Sequence, residues 1–101
     1  MGDRLSGKVA VITGGTSGIG EATVRLFLDQ GAKVVFCGRS AETGEAMAAE
    51  LGPNSRFIQA DVTREADVKS TIALAMSEFG RLDCMFNNAG GPTPGTLETV
   101  T

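Results

Sequence analysis

Residues 8–20 read KVAVITGGTSGIG, and this stretch decides the fold of the chain. Its first six residues form a β-branched run in which apolar and polar positions do not alternate, a pattern typical of a strand buried on both faces. Glycines spaced G-x-x-x-G-x-G follow, and residues 18–30 then carry apolar side chains at helical spacing. We therefore predict a strand, a glycine-rich turn and a helix in direct succession.

The same alternation of strand and helix continues to residue 87. Further strands are predicted at residues 33–37, 56–60 and 82–87, and further helices at residues 42–51 and 65–79. Ser40 and Thr63 are the expected N-caps of the second and third helices. The expected core stripes are Ile19, Ala22, Leu26 and Phe27 in the first helix, and Val68, Ile72, Met76 and Phe79 in the third. Residues 90–101 are expected to form a loop, at whose end a helix could begin.

This order of elements predicts an α/β fold, a Rossmann-like doubly wound parallel sheet with right-handed crossovers and strand order 3-2-1-4. In that order the loop after the first strand lies at the topological switch point, where such sheets bind ligands. Cys37 and Cys84 fall on strands separated by the first strand, roughly 9.5 Å apart, which is too far for a disulfide bond. The fourth strand is expected to be an edge of the sheet.

Composition narrows the classes of function. The chain has 101 residues and a net charge of −3 without a basic stripe, which suits one small domain and argues against a nucleic-acid partner. No apolar run approaches the roughly 20 residues that cross a bilayer, and the N-terminus lacks the apolar segment of a secretory signal. We therefore expect no membrane association and a cytoplasmic location. Two cysteines and no histidine leave too few ligands for a metal site.

The glycine-rich turn indicates a dinucleotide site. One glycine lets the chain turn at the strand end, a second lets backbone N–H groups approach a pyrophosphate, and a third lets helix and strand pack closely. Gly14, Gly18 and Gly20 are the candidates for these roles. The alternative is a purely structural turn, because tight turns use glycine for steric reasons alone. The position of the glycines between a buried strand and a helix favours the dinucleotide.

The end of the second strand indicates which dinucleotide. NAD-binding sheets place an acid there to accept from the ribose 2′-OH, but here Gly38, Arg39 and Ser40 follow the strand. A guanidinium beside a hydroxyl would pair with a 2′-phosphate, so we predict NADP in preference to NAD. The alternative is that Arg39 is a solvated residue that opens a loop.

Three motifs in order resemble the short-chain dehydrogenase/reductase family. They are Thr13-Gly14-x-x-x-Gly18-Ile19-Gly20, then Asp61-Val62 after the third strand, then Asn87-Asn88-Ala89-Gly90 after the fourth. The resemblance implies that Thr16, Ser17 and Ile19 line the pyrophosphate and the adenosine ribose. It implies that Asp61 accepts from the adenine amino group, that the Val62 backbone meets the ring, and that Asn88, Ala89 and Gly90 pass under the ribose. Asn87 would tie the fourth strand to the sheet, a structural role.

The same resemblance implies where catalysis occurs. The family transfers hydride between a nicotinamide and an alcohol or carbonyl, with Ser, Tyr and Lys, usually joined by an Asn, as catalytic residues. This chain has no tyrosine, and none of its serines lies at a matching position, so no catalytic residue is expected in it. Residues 1–101 are expected to be the cofactor-binding N-terminal part of one longer domain. The intact protein that contains this domain is expected to act on a small molecule and to be a homo-oligomer. The alternative function is a stand-alone nucleotide-binding or regulatory module.

Overall fold

The computed structural model describes residues 5–14, 18–61, 64–87 and 96–99. Eight helices and strands follow one another in this part of the chain. They are β1 (Val9–Thr13), α1 (Gly18–Asp29), β2 (Lys33–Gly38), α2 (Ala41–Leu51), β3 (Ser55–Gln59), α3 (Glu65–Phe79), β4 (Cys84–Asn87) and β5 (Thr96–Thr99). The predicted bounds of the first seven elements differ from these by two residues at most, the usual uncertainty of helix and strand ends.

The strands form one sheet in the order β3-β2-β1-β4-β5. The first four strands are parallel, and in register Thr13 of β1 lies opposite Cys37 of β2 and Asn87 of β4. The predicted order 3-2-1-4 and the Rossmann-like parallel sheet are therefore confirmed. The sheet keeps Cys37 and Cys84 on strands with β1 between them, and both are free thiols.

Alternate residues of the central strands build two cores, one on each face of the sheet. Ile12, Val34 and Phe36 are fully buried on one face, where they pack with Val24 of α1 and Met47 of α2. Val9, Val11 and Val35 are buried on the other face against Ala75 of α3. Burial of β1 and β2 on both sides explains why their sequences show no alternation of apolar and polar residues.

The predicted core stripe of α1 is wrong in part: Phe27 packs against the core, but Ala22 is exposed. Ile19 and Leu26 are more than half exposed, and the buried residues of the helix are Gly20 and Val24, one turn apart. Because Gly20 has no side chain, the helix approaches the sheet most closely on the face that carries it. The bulky residues Ile19 and Leu26 lie on a neighbouring face of the helix.

The predicted core stripe of α3 is also wrong in part. Thr71 and Ala75 are fully buried, whereas Met76 is 49% exposed. Val68, Ile72 and Phe79 are half-buried, and only Phe79 packs against the core on this face. Small side chains again occupy the line of closest contact with the sheet, and the Thr71 hydroxyl donates to the backbone oxygen of Asp67 at 2.9 Å. A buried threonine is compatible with this contact because its polar atom is paired.

The prediction of a loop for residues 90–101 is wrong for Thr96–Thr99, which form β5. This strand pairs antiparallel with β4, and Phe86 lies opposite Leu97 in the register. The prediction that the fourth strand is an edge of the sheet is therefore wrong. Strand β5 pairs with the backbone groups of β4 that an edge strand would leave without partners. Threonine, which favours extended backbone, occupies both ends of β5.

The ends of two helices test the predicted caps. The Ser40 hydroxyl accepts from the Thr43 N–H at 3.2 Å, so the predicted N-cap of α2 is confirmed. At α3 the N-cap position is Arg64, which makes no side-chain capping bond, and Thr63 lies outside the described residues. None of the helices in the described ranges is both long and apolar enough to cross a bilayer.

Candidate functional site

The carboxyl ends of the parallel strands collect the predicted binding residues at one edge of the sheet. Gly14 follows β1, Arg39 follows β2 and Asp61 lies two residues beyond β3. Pairing of Gly38 with Gln59 keeps β2 and β3 together up to this edge, and the Gln59 side-chain amide donates to the Arg39 backbone oxygen at 2.9 Å. In sheets of this kind the carboxyl edge beside the first strand is where ligands bind.

The turn between β1 and α1 needs glycine at two described positions. Gly14 has φ +67° and Gly18 has φ +55°, both in the left-handed region that side chains rarely adopt. Gly18 is also the first residue of α1, and a Cβ on it would meet open space, so its conformation and not crowding requires glycine. The first N–H groups of a helix lack partners within the helix, and together with the helix dipole they favour an anion at this end.

The charges near the start of α1 are balanced by an ion pair. Glu21 lies in the first turn, where its carboxylate would oppose an approaching phosphate. Arg25, one turn later, donates to Glu21 at 3.0 Å and also pairs with Glu50 of α2 at 3.2 Å. The guanidinium thus neutralises the one carboxylate in this turn and joins α1 to α2. Glu50 is exposed, and the Arg25 and Glu21 side chains are still about 40% exposed, so the pairs are weak contributors to stability.

A groove of about 360 Å³ opens where β2 and β3 end. It is lined by Arg39, Gln59, Ala60, Asp61 and Asp67. Arg39 supplies a positive charge and the two aspartates supply carboxylates, so the groove offers an anion site and acceptors for an amino group side by side. The structure therefore brings together Arg39 and Asp61, which the sequence assigned to the 2′-phosphate and to the adenine.

The structure gives Ser40 a structural role. Its hydroxyl oxygen accepts from the Thr43 N–H, and the same hydroxyl lies 3.0 Å from the Thr43 hydroxyl. Ser40 is exposed at the start of α2, next to Arg39. The cap occupies one acceptor site of the hydroxyl, and a phosphate would compete with Thr43 for its proton.

Beneath the glycine turn lies the thiol of Cys37. The residue is buried, and burial raises the pKa of its thiol, while contacts with the Thr71 hydroxyl and the Gly14 backbone act in the opposite direction. The thiol therefore stays protonated at neutral pH and serves as a small packed group that links the turn to α3. In the described part of the chain no group of three or more histidine, cysteine, aspartate or glutamate residues could hold a metal ion.

Several predicted site residues lie outside the described part of the chain: Thr16, Ser17, Val62, Asn88, Ala89 and Gly90. Of the others, Ile19 is 57% exposed in the first turn of α1, and Gly20 is buried where the helix meets the sheet. Asn87 ends β4, with its backbone opposite Thr13 and Thr96.

Sequence reasoning missed three residues that line the groove: Gln59, Ala60 and Asp67. Gln59 closes β3, and its polar side chain two residues before Asp61 was a signal that the strand end faces water. Asp67 is the third residue of α3, where acids commonly bond backbone N–H groups that precede the helix. The Asp67 carboxylate accepts from the Asp61 N–H at 2.8 Å. Its position in the helix could have indicated a capping role, but not its partner.

Comparison with known proteins shows which family the chain resembles. A sequence profile described as short chain dehydrogenase matches residues 8–101. Momilactone A synthase of Oryza sativa subsp. japonica is 52% identical over 92 residues, which cover 90% of this chain and 34% of that protein. L-fucose dehydrogenase of Mus musculus is 48% identical over 98 residues, 97% of this chain and 36% of that protein.

A solved structure gives the same result. The 3-ketoacyl-(acyl-carrier-protein) reductase of Brucella melitensis, complexed with NADH, superposes with a TM-score of 0.74 and 43% sequence identity, over 78% of this chain and 33% of that one. The chain thus spans about a third of the length of these relatives. The parallel sheet, the glycine turn at its switch point and the profile match over residues 8–101 agree, and the chain belongs to the short-chain dehydrogenase/reductase family.

Proposed function

We propose that the protein binds NADP(H) through these residues and is the cofactor-binding part of an oxidoreductase that interconverts an alcohol and a carbonyl compound. The observation that carries the proposal is the shared groove of Arg39 and Asp61, next to a glycine turn with two left-handed residues. Both features lie at the carboxyl edge of one parallel sheet, beside β1. The alcohol or carbonyl class follows from the family, and the relatives named above differ in substrate.

Each part of the cofactor would meet a different element. The pyrophosphate would lie over the N-terminus of α1, where backbone N–H groups and Gly14, Gly18 and Gly20 permit close approach. Adenine would enter the groove with its amino group toward the Asp61 carboxylate, and Ile19 would cover the adenosine ribose. The cofactor, when bound, supplies or accepts the hydride.

The preference for NADP over NAD would come from Arg39. Gly38 is the last residue of β2, where NAD-binding sheets place an acid, so that acid is absent here. Its backbone oxygen accepts from the Ala60 N–H at 2.9 Å. Arg39 is exposed there, and a guanidinium can donate two parallel hydrogen bonds to a phosphate. The Brucella reductase was solved with NADH, so the cofactor preference has to be measured on this protein.

The remaining site residues complete the proposal. Thr16 and Ser17 would contact the pyrophosphate side of the cofactor, the Val62 backbone would meet the adenine ring, and Ser40 would assist Arg39. Asn88, Ala89 and Gly90 would pass under the ribose. We place the proton-transfer residues of the reaction outside these 101 residues, because the family uses a tyrosine and the chain has none. The intact protein would act in the cytoplasm as a homo-oligomer.

A charge reversal at Arg39 tests this function. The full-length protein is titrated with NADPH and with NADH, and the ratio of the two dissociation constants is compared with that of Arg39→Asp. We expect the wild-type protein to favour NADPH and the variant to shift the ratio toward NADH by about tenfold or more, the size of lost hydrogen bonds to a charged group.

Lys69→Asp is the matched control, since it reverses an exposed charge on α3 away from the groove. It should leave the ratio unchanged. A wild-type protein that binds neither dinucleotide would disprove the function itself. An unchanged ratio in Arg39→Asp would disprove only the assignment of NADP and leave a nicotinamide cofactor in place.

A further inference from the structure

Among the described residues that line the groove, only Asp67 belongs to a helix. Its Oδ2 atom accepts a hydrogen bond of 2.8 Å from the backbone N–H of Asp61, six residues earlier. Asp67 is partly buried in the first turn of α3, and both residues line the groove. The side chain of one acid thus holds the backbone of the other.

The backbone of Asp61 is held from both sides. Its N–H donates to Asp67, and its carbonyl oxygen accepts from the Arg64 N–H at 2.9 Å. The preceding residue, Ala60, donates its own N–H to the Gly38 oxygen at 2.9 Å and so belongs to the sheet. With both peptide groups fixed, the direction in which the Asp61 side chain leaves the backbone is fixed as well.

Asp67 is itself anchored to the core of the protein. Its backbone oxygen accepts from the hydroxyl of Thr71, which is completely buried, and its N–H donates to the Arg64 oxygen at 3.1 Å. Thr71 also contacts the thiol of Cys37 in β2. The position of the Asp67 carboxylate is therefore set by the packing of α3 on the sheet. Through its hydrogen bond, this carboxylate holds the backbone of Asp61 relative to α3.

We propose that Asp67 is a positioning residue that makes the site selective for a 6-aminopurine over a 6-oxopurine nucleotide. The inference rests on the proposed function, in which the Asp61 carboxylate accepts from the adenine amino group. A 6-oxo group at the same place would present its lone pairs to that carboxylate and be repelled. Discrimination requires the carboxylate to stay near the position of the purine substituent, and the hydrogen bond from the Asp61 N–H to Asp67 holds the backbone from which that carboxylate extends.

A different role for Asp67 would be to stabilise α3 alone. An acid in the first turn interacts favourably with the helix dipole whatever it bonds. Glu65 lies in the same turn and has the same charge, but its side chain is 86% exposed and reaches only Lys69, at 3.9 Å. Glu65→Ala therefore reproduces the loss of charge from the helix start without touching Asp61, and it is the control that separates the two roles.

The test compares binding of NADPH with binding of its deamino analogue, in which hypoxanthine replaces adenine, to the full-length protein. The readout is the ratio of the two dissociation constants, measured well below the melting temperature. We expect Asp67→Ala to lower the preference for NADPH by about fivefold, the size of one ordinary hydrogen bond. Asp67→Asn should retain most of the preference, because its amide oxygen can still accept from the Asp61 N–H.

Asp67→Glu serves as a second variant if alanine prevents folding, since it keeps the charge and displaces the accepting oxygen. It should lower the preference as alanine does, whereas Glu65→Ala should not change it. The inference would be overturned if the ratio stayed at its wild-type value in both Asp67→Ala and Asp67→Glu, or fell equally in Glu65→Ala. A wild-type protein that did not bind NADPH would reject the proposed function as well, so the two failures are distinguishable.

Discussion

The carboxylate of Asp83 joins β1 to β4 at the end of the sheet opposite the groove. Its Oδ2 atom accepts from the Val9 N–H at 2.8 Å, and its own backbone N–H donates to the Val9 oxygen at 2.8 Å. The Arg81 guanidinium donates to both carboxylate oxygens, at 2.7 and 2.6 Å. These contacts, the Arg81 pair first and the Val9 N–H after it, lower the pKa of Asp83 below its usual value.

This pKa shift predicts how stability depends on pH. Because the folded-state pKa lies below the unfolded value of about 3.9, the ionised Asp83 stabilises the folded protein above that pH. The stabilisation is lost as the pH falls through the folded-state pKa. We expect Asp83→Asn to lower the free energy of unfolding by about 1–2 kcal/mol at pH 7, and we expect this difference to shrink steadily below pH 4. Urea unfolding at several values between pH 7 and pH 3 measures it.

Arg81→Gln is the companion variant for this measurement. It removes the pair with Arg81 but leaves the bond from Val9, so it should remove part of the pH dependence and not all of it. A difference between the wild-type protein and Asp83→Asn that stayed constant down to pH 3 would contradict this account. Both residues lie at the amino end of the sheet, so neither variant should affect nucleotide binding.

At the scale of helices and strands, the sequence predicted the type of each segment well. It predicted less well which face of each helix is buried. Bounds could be predicted because β-branched runs and glycine breaks are local signals. The order of the first four strands could be predicted because alternating strands and helices with right-handed crossovers allow few topologies. The buried face of α1 could not, because it is decided by how closely the helix approaches the sheet at Gly20. In α3 the same cause buries Thr71 and exposes Met76, which hydropathy alone would place the other way round.

Some residues of the candidate site could likewise be predicted from the sequence, and others could not. Gly14, Arg39 and Asp61 could be predicted from their positions at the ends of predicted strands, and Gly18 from its position at the start of a predicted helix. Asp67 could not, because its contribution is a hydrogen bond to a backbone N–H six residues away, and that contact exists only once α3 has packed on the sheet. Strand β5 was missed for a related reason, since each of its residues pairs with a β4 residue nine or more positions away along the chain.

The contact of α2 with β3 is a further example of close approach at a glycine. Gly44 is buried in α2, and a Cβ built on it would overlap the ring of Phe57. That ring packs against the ring of Phe36 in β2, with centroids 5.4 Å apart, so it has little room to move. The absence of a side chain at Gly44 therefore lets the helix lie directly on the ring.

We predict that Gly44→Ala destabilises the protein in spite of the gain in helix propensity. Alanine favours a helix over glycine by about 1 kcal/mol, but overpacking of a core costs about 1–3 kcal/mol, so the net loss should be about 1 kcal/mol. In a Phe57→Leu background, where the ring is gone, the same substitution should become neutral or stabilising. Thermal or urea unfolding of the four proteins measures this cycle, and an equal effect of Gly44→Ala in both backgrounds would disprove the contact.

Over the whole molecule, burial is uneven across the sheet. The three helices pack on β1, β2 and β3, and every residue of β1 is buried on both faces. In β4 the residues Cys84, Met85 and Phe86 are only half-buried. The helices that cover the centre thus leave this side of the sheet partly open to water, in a chain that spans about a third of the length of its relatives.

This unevenness predicts a gradient of local stability across the sheet of the 101-residue chain. Half-burial of three apolar side chains forgoes about 3 kcal/mol relative to complete burial, so opening of β4 and β5 should require that much less free energy than opening of β1 and β2. Native-state hydrogen exchange should then show backbone amides of β4 exchanging about a hundredfold faster than those of β1. In the full-length protein, where we expect further chain to cover β4, the two strands should exchange at similar rates. Equal protection of β1 and β4 in the short chain would mean that the sheet opens as one unit, and that the antiparallel pairing of β5 with β4 is enough to hold that side closed.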